Sequence, residues 1–142
     1  MMSDSNVKRS IVVDPSGAVR LVELGAAADV LAVMYRELAC DAAEPVVLDG
    51  DELVMWVDEE GFRRESFVVN RWASLVAGEF GRTRQPYPGA ALFCANTPNG
   101  DEADLSPALL VELLSFLGHF GADVSAAQAQ AADLAGTVAD HG

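Results

Sequence analysis

The sequence predicts an α+β domain: a largely antiparallel sheet of about five strands, helices packed on it, and a helical C-terminus. Three observations carry this. Short β-branched segments flank tight turns at Pro15-Ser16-Gly17 and Asp58-Glu59-Glu60-Gly61, which is hairpin chemistry rather than crossover chemistry. Helical periodicity comes in separate blocks, between the hairpins and over the last third. The resulting order, ββα then ββαβ then αα, is the segregated pattern of an α+β fold. A chain of 142 residues, 51% apolar, can bury roughly two-thirds of its unfolded surface in one domain. No repeat of solenoid period interrupts it. The α+β domain takes residues 1–121, and residues 122–142 form an alanine-rich helical addition.

Each element has a local reason. Residues 1–6 are polar and expected to fray. Val7–Asp14 and Ala18–Leu24 are strands, because Pro presets the turn between them and Gly accepts its positive φ. Ile11, Val13, Val19 and Leu21 are the expected buried face. Ala26–Ala39 is a helix whose inner face is read from Leu31, Met34, Tyr35 and Leu38. Asp41–Pro45 is a loop, and Val46–Leu48 a short strand or the approach to one.

The stretch from Leu53 to Asn96 organises the rest. Leu53, Met55 and Val57 share one face, and Val54 and Trp56 the other; apolar residues on both faces mark a strand central to the sheet. The DEEG turn, with Gly61 in the left-handed position, leads into a strand over Phe62–Val69. Asn70 caps a helix over Arg71–Ala77, with Trp72, Leu75 and Val76 inward. Gly78–Gly89 is a loop by its Gly and Pro content, and Ala90–Ala95 a buried strand. Ser106-Pro107 starts a helix, stapled by Leu105 on Leu110 and ended at Gly118. Ser125 with Gln128 forms a capping box for a last helix whose seam is Ala127, Ala131, Leu134 and Val138. That alanine-rich seam permits close approach of two such helices, hence a homodimer.

Charge is the strongest bulk property. The net charge is −13, from 22 Asp and Glu against 9 Lys and Arg. Such a surface repels nucleic acid and anionic lipid and attracts basic protein surfaces. Direct nucleic-acid binding is therefore disfavoured. The acids cluster as Asp41, Glu44, Asp49, Asp51, Glu52, Asp58, Glu59 and Glu60, with no Lys or Arg among them. Cations gather at Arg63, Arg64, Arg71, Arg82 and Arg84, and none follows. MMSDSNVKRS lacks the apolar core of a signal peptide, and no apolar run is long enough to span a bilayer. Cys40 and Cys94 make no CxxC pair and suit a reducing compartment. A cytoplasmic protein is the expectation.

The central motifs, "VDEEG", "VVNRWA", "GAALFCANTP" and "DLSPALL", resemble a domain-of-unknown-function family of phages, prophages, plasmids and conjugative elements. The resemblance runs from Arg9 to Leu117 and is tightest at Asp58–Gly61, Asn70–Ala73 and Gly89–Ala95. It departs at Glu79–Pro86 and does not reach the tail after Gly121. It implies a small accessory protein carried by a mobile element, and no activity.

Little in the residues points to catalysis. Cys94 and His119 are the one conceivable nucleophile and base, but a cysteine within an apolar strand is better read as a small core residue. Two His and two Cys offer no zinc spacing. Asp49, Asp51 and Glu52 lack the ligand order of an EF-hand loop, and the Asp58–Glu60 carboxylates sit on a turn where nothing buries them. No cofactor, metal or enzymatic activity is expected. The expected function is binding: a host protein with a basic surface, held by Asp49, Asp51, Glu52, Asp58, Glu59 and Glu60, in the manner of a DNA-mimic inhibitor. The alternative is a nucleotide or other small anion held by the forks of Arg63, Arg64, Arg71, Arg82 and Arg84.

Overall fold

The computed structural model describes residues 9–25, 29–49, 53–63, 68–81, 85–96 and 102–132. The elements are β1 (Arg9–Val13), β2 (Val19–Glu23), α1 (Val30–Leu38), β3 (Ala43–Asp49), β4 (Leu53–Asp58), α2 (Arg71–Gly81), β5 (Ala91–Asn96), β6 (Glu102–Ala103) and α3 (Pro107–His119). A further helix, α4, occupies residues 125–132. The sheet runs β2-β1-β5-β4-β3, with two-residue β6 added to β5, and every pairing is antiparallel. The predicted α+β class is the observed one.

The sheet is covered on both faces, which explains why its strands alternate so poorly. Ile11, Val13, Leu53, Met55, Val57, Ala91 and Phe93 face one core, closed by residues of α2, α3 and α4. Val12, Val22, Leu92 and Cys94 face a second, smaller core closed by Val30, Met34 and Leu38 of α1. A strand that must satisfy both layers reads as continuous apolar sequence. Val19 and Leu21 join Ile11 and Val13 as expected. In α1 the buried stripe is Val30, Met34 and Leu38, while Leu31 is 51% exposed. The helix is thus rotated from the expected face, because a single-sided layer needs only one narrow stripe.

Two strand assignments change. The fifth long strand is β3, which includes Ala43 and Pro45 of the expected loop, and not Phe62–Val69. β4 already has β3 on one side and β5 on the other, so no partner position is left for a strand after the DEEG turn. That turn instead closes as a 3-10 turn over Gly61–Arg63, with Arg63 N–H donating to Glu60 O at 3.0 Å. Of the expected strand, Val69 makes one isolated bridge with Pro88, and residues 64–67 lie outside the described residues. Pro45 is tolerated because β3 is the outer strand, where one side needs no donor.

Helix α2 runs on through Gly78 to Gly81, past the expected end. Gly81 is placed where an added Cβ would lie 2.6 Å from Leu48 Cδ2 and 3.0 Å from Leu48 Cα. The missing side chain lets α2 descend onto β3. Its buried residues are Ala73, Val76 and Ala77, with Trp72 partly buried beside them. At α3, Ser106 Oγ accepts from Leu109 N–H at 3.1 Å and Pro107 is the first helical residue, as expected. Before α4 the cap differs: Ser125 is already helical, and Asp123 Oδ1 accepts from its N–H at 3.2 Å and its Oγ–H at 2.6 Å. These bonds hold the Asp123 carboxyl below its usual range. Their contribution is present above the ordinary carboxylate pKa and fades as pH falls through the lowered value.

Both outer strands are protected from further pairing. On β2, Gln130 of α4 accepts from Leu21 N–H at 3.0 Å, and Asp123 exchanges bonds with Gly17 and Val19. On β3, Pro45 interrupts the row of donors. Among the described residues no helix is long and apolar enough to cross a membrane.

Trp56 sits against the second core and its buried indole N–H has no acceptor among the described residues. An orphaned buried donor costs about 1–3 kcal/mol, comparable with the apolar surface lost on shortening the ring. Trp56→Phe is therefore expected to change stability by less than about 1 kcal/mol, against about 2 kcal/mol for Trp56→Ala at this half-buried position. Urea unfolding of the two variants checks this; a large loss for Trp56→Phe would show that the indole N–H is satisfied.

Candidate functional site

The acidic residues are divided by the β3–β4 hairpin. Antiparallel pairing places Ala43 opposite Asp58 and Glu44 opposite Val57, and Glu59 N–H donates to Ala42 O at 2.9 Å. Asp41, Glu44, Asp58, Glu59 and Glu60 therefore share one end of the hairpin. Asp49 stands at the other end of β3, roughly 20 Å away by strand rise; Asp51 and Glu52 lie outside the described residues. The single band of the linear sequence is thus split: Asp41 and Glu44 belong with the Asp58–Glu60 turn, and Asp49 does not. In the turn, Asp58 Oδ1 accepts from Glu60 N–H at 2.9 Å, and Glu59 and Glu60 are exposed. The backbone of the turn is thus braced while two of its carboxylates stay in water.

Among the described residues, Arg63 is a cation beside this end, and Arg9, Arg20 and Arg36 are paired elsewhere. Arg9 grips Asp104 with a fork, Nε to Oδ1 at 3.0 Å and Nη2 to Oδ2 at 2.7 Å. Arg20 pairs with Glu37 at 2.6 Å and Arg36 reaches the same carboxylate at 3.4 Å. These pairs tie β1 to the segment before α3, and β2 to α1. Of the five arginines expected to hold an anion, Arg64, Arg82 and Arg84 lie outside the described residues. Arg63 and Arg71 are exposed, and neither has a carboxylate partner among the described residues. The Arg71 guanidinium lies 5.4 Å from the centre of the Trp72 ring, a cation–π contact that restrains it.

Asn70 does more than cap α2. It is fully buried. Its Oδ1 accepts from Ala73 N–H at 3.0 Å, and its Nδ2 donates to Val13 O at 2.8 Å and Gly89 O at 2.9 Å. Its backbone N–H donates to Tyr87 O at 2.8 Å, and Ser74 Oγ bridges Asn70 O and Tyr87 N. One side chain thereby joins β1, α2 and the segment entering β5.

Beside this knot a groove of about 650 Å³ opens between α2 and α3, lined by Val69, Leu75, Pro86, Phe116 and Phe120 together with Arg71, Ser74, Glu79 and Gln85. Reading the sequence missed it because α2 was expected to stop at Ala77. With the helix extended, Arg71, Leu75 and Glu79 fall at steps of four on one outward face.

Cys94 and His119 are not brought together. Cys94 is fully buried in the core under α1, whereas α3 packs on the opposite face. His119 is exposed at the end of α3, its ring 4.9 Å from that of Phe120. Among the described residues, no three His, Cys, Asp or Glu side chains gather as a metal-holding group. At the C-terminus, Ala127 is fully buried and Ala131 packs on the chain's own core. That part of the seam is occupied within the monomer; Leu134 and Val138 lie outside the described residues.

Comparison with known protein families matches residues 7–118 to a model described as Domain of unknown function (DUF3846). No curated protein and no solved structure matches the chain.

Proposed function

The chain belongs to the DUF3846 family, and we propose that it is a mobile-element accessory protein that works in the cytoplasm by binding. Its working face is the acidic end of the β3–β4 hairpin, and its partner is a host protein with a basic surface. The observation that supports this is the gathering of Asp41, Glu44, Asp58, Glu59 and Glu60 by strand register, while Arg9, Arg20 and Arg36 are engaged elsewhere in the fold. A single exposed ion pair contributes less than about 1 kcal/mol. Several carboxylates at one end of a hairpin act together: they steer a basic partner into place and reject acidic ones. β4 is held by strands on both sides, so little ordering cost opposes binding. Carboxylates gathered in this way can stand in for the phosphates of a duplex and occupy a groove built for nucleic acid.

Replacing Glu44, Glu59 and Glu60 together by Lys tests the proposal. All three are exposed, and such substitutions normally leave stability within about 0.5 kcal/mol each. A partner captured from the native host by the unaltered protein is expected to bind the variant at least about tenfold more weakly. Equal capture by the variant would rule this end out as the working face.

A further inference from the structure

The groove between α2 and α3 has a built polarity that the acidic end does not use. Its floor and walls are Leu75, Phe116, Phe120, Val69 and Pro86. Phe116 is braced on both sides, 5.6 Å from Phe80 edge-on and 4.9 Å from Phe120, so the aromatic wall is set before any ligand arrives. The volume, about 650 Å³, is in the range that takes a small organic molecule, about 300–1,000 Å³. Phe120 and Val69 remain 37% and 43% exposed, a pair of apolar side chains left in water at its mouth.

The polar lining sorts itself by availability. The Ser74 hydroxyl is spent, donating to Asn70 O and accepting from Tyr87 N. Arg71 is available: its guanidinium rests near the Trp72 ring and meets no carboxylate among the described residues. Glu79 lies eight residues further along α2, about 12 Å at helical rise, and opposes negative charge at the far end. Among the described lining residues, Arg71 therefore stands at one end of an apolar trough and Glu79 at the other.

We propose that this groove binds a small amphipathic organic anion, with an aromatic or branched apolar body and a single carboxylate or sulfonate. The body lies on Leu75, Phe116 and Phe120, and the acid group meets Arg71. Charge complementarity selects this occupant. A polyphosphate would bring several negative charges past Glu79, on a protein of net charge −13. A single charge needs only Arg71, and apolar contact supplies the rest of the affinity.

Titration with 8-anilinonaphthalene-1-sulfonate, an aromatic monosulfonate whose fluorescence rises on leaving water, tests this on the full chain. The unaltered protein is expected to bind one equivalent saturably. Arg71→Gln weakens binding about fivefold, and Glu79→Gln tightens it about two- to fivefold, as expected for removing one exposed attractive or repulsive charge. Val111→Ser, at an exposed position on α3 outside the groove, leaves it unchanged. Opposite signs for the two charge variants cannot come from partial unfolding, which would raise dye binding in both. No saturable binding, equal affinity in both charge variants, or a shift with Val111→Ser alone would overturn the assignment. ATP at the same concentration is expected not to displace the dye; displacement would overturn the single-charge selectivity.

Discussion

The Asn70→Asp variant is expected to lose about 3–5 kcal/mol of stability at neutral pH, one of the two largest effects the structure predicts. The exchange keeps the shape of the side chain and reverses its chemistry. Nδ2 donates to two carbonyls, Val13 O and Gly89 O, at 2.8 and 2.9 Å. A carboxylate oxygen in that position offers no hydrogen and faces both carbonyls as a negative charge in a fully buried site. Removing a neutral donor and leaving two acceptors unpaired costs about 1–3 kcal/mol; burying an unpaired charge adds to that. Asn70→Ala, which only removes the bonds, should therefore be the milder change. The pH dependence has a definite sign. Burial raises the new carboxyl's folded pKa above its unfolded value, so the folded state binds the proton more tightly and stability rises as pH falls. Urea unfolding at pH 7 and pH 5 should show a smaller deficit at pH 5, because the protonated acid can donate once. A deficit that is small or independent of pH would mean that Asn70 does not join β1 to α2.

Gly17→Ala is the second. Gly17 has φ +94°, which alanine reaches only with strain, and its added Cβ would stand 2.8 Å from Trp72 Cη2 and 2.9 Å from Trp72 Cζ2. A positive φ costs a residue with a Cβ about 1 kcal/mol or more, and forcing a ring out of a packed position about 1–3 kcal/mol. Trp72 has little room to yield, since its Nε1–H donates to Phe120 O at 3.2 Å. The expected loss is about 3 kcal/mol, or more than about 6 °C in melting temperature for a domain of this size. Near-parental melting of Gly17→Ala would show that the first hairpin does not rest on Trp72.

Much of this fold was legible because local and long-range demands agree. Pro15-Ser16-Gly17 has one easy conformation, Ser106-Pro107 one easy role, and the run at Ala91–Cys94 is apolar throughout because cores press on both its faces. The misread segment, Phe62–Val69, has an adequate strand pattern of its own. What denies it a place is that β3 and β5 already fill both sides of β4, a fact about partners that no local pattern contains. The end of α2 was misjudged for a similar reason. Glycine at 78 and 81 argues against helix, but at 81 packing on Leu48 requires a residue without a side chain. The acidic end was half visible: the DEEG turn announces itself, but only register joins Asp41 and Glu44 to it. Arg9 and Asp104, 95 positions apart, left no trace in the sequence as a pair.

The proposed working face stands or falls on where a partner touches the molecule. Backbone amide shifts of the isotope-labelled protein, followed during titration with a captured host partner, locate that contact without any substitution. The changes are expected to concentrate on residues 41–44 and 58–63, on adjoining strands at one end of the hairpin. Changes confined to the α2–α3 groove or to α1, with those residues unmoved, would contradict the acidic end as the site of binding.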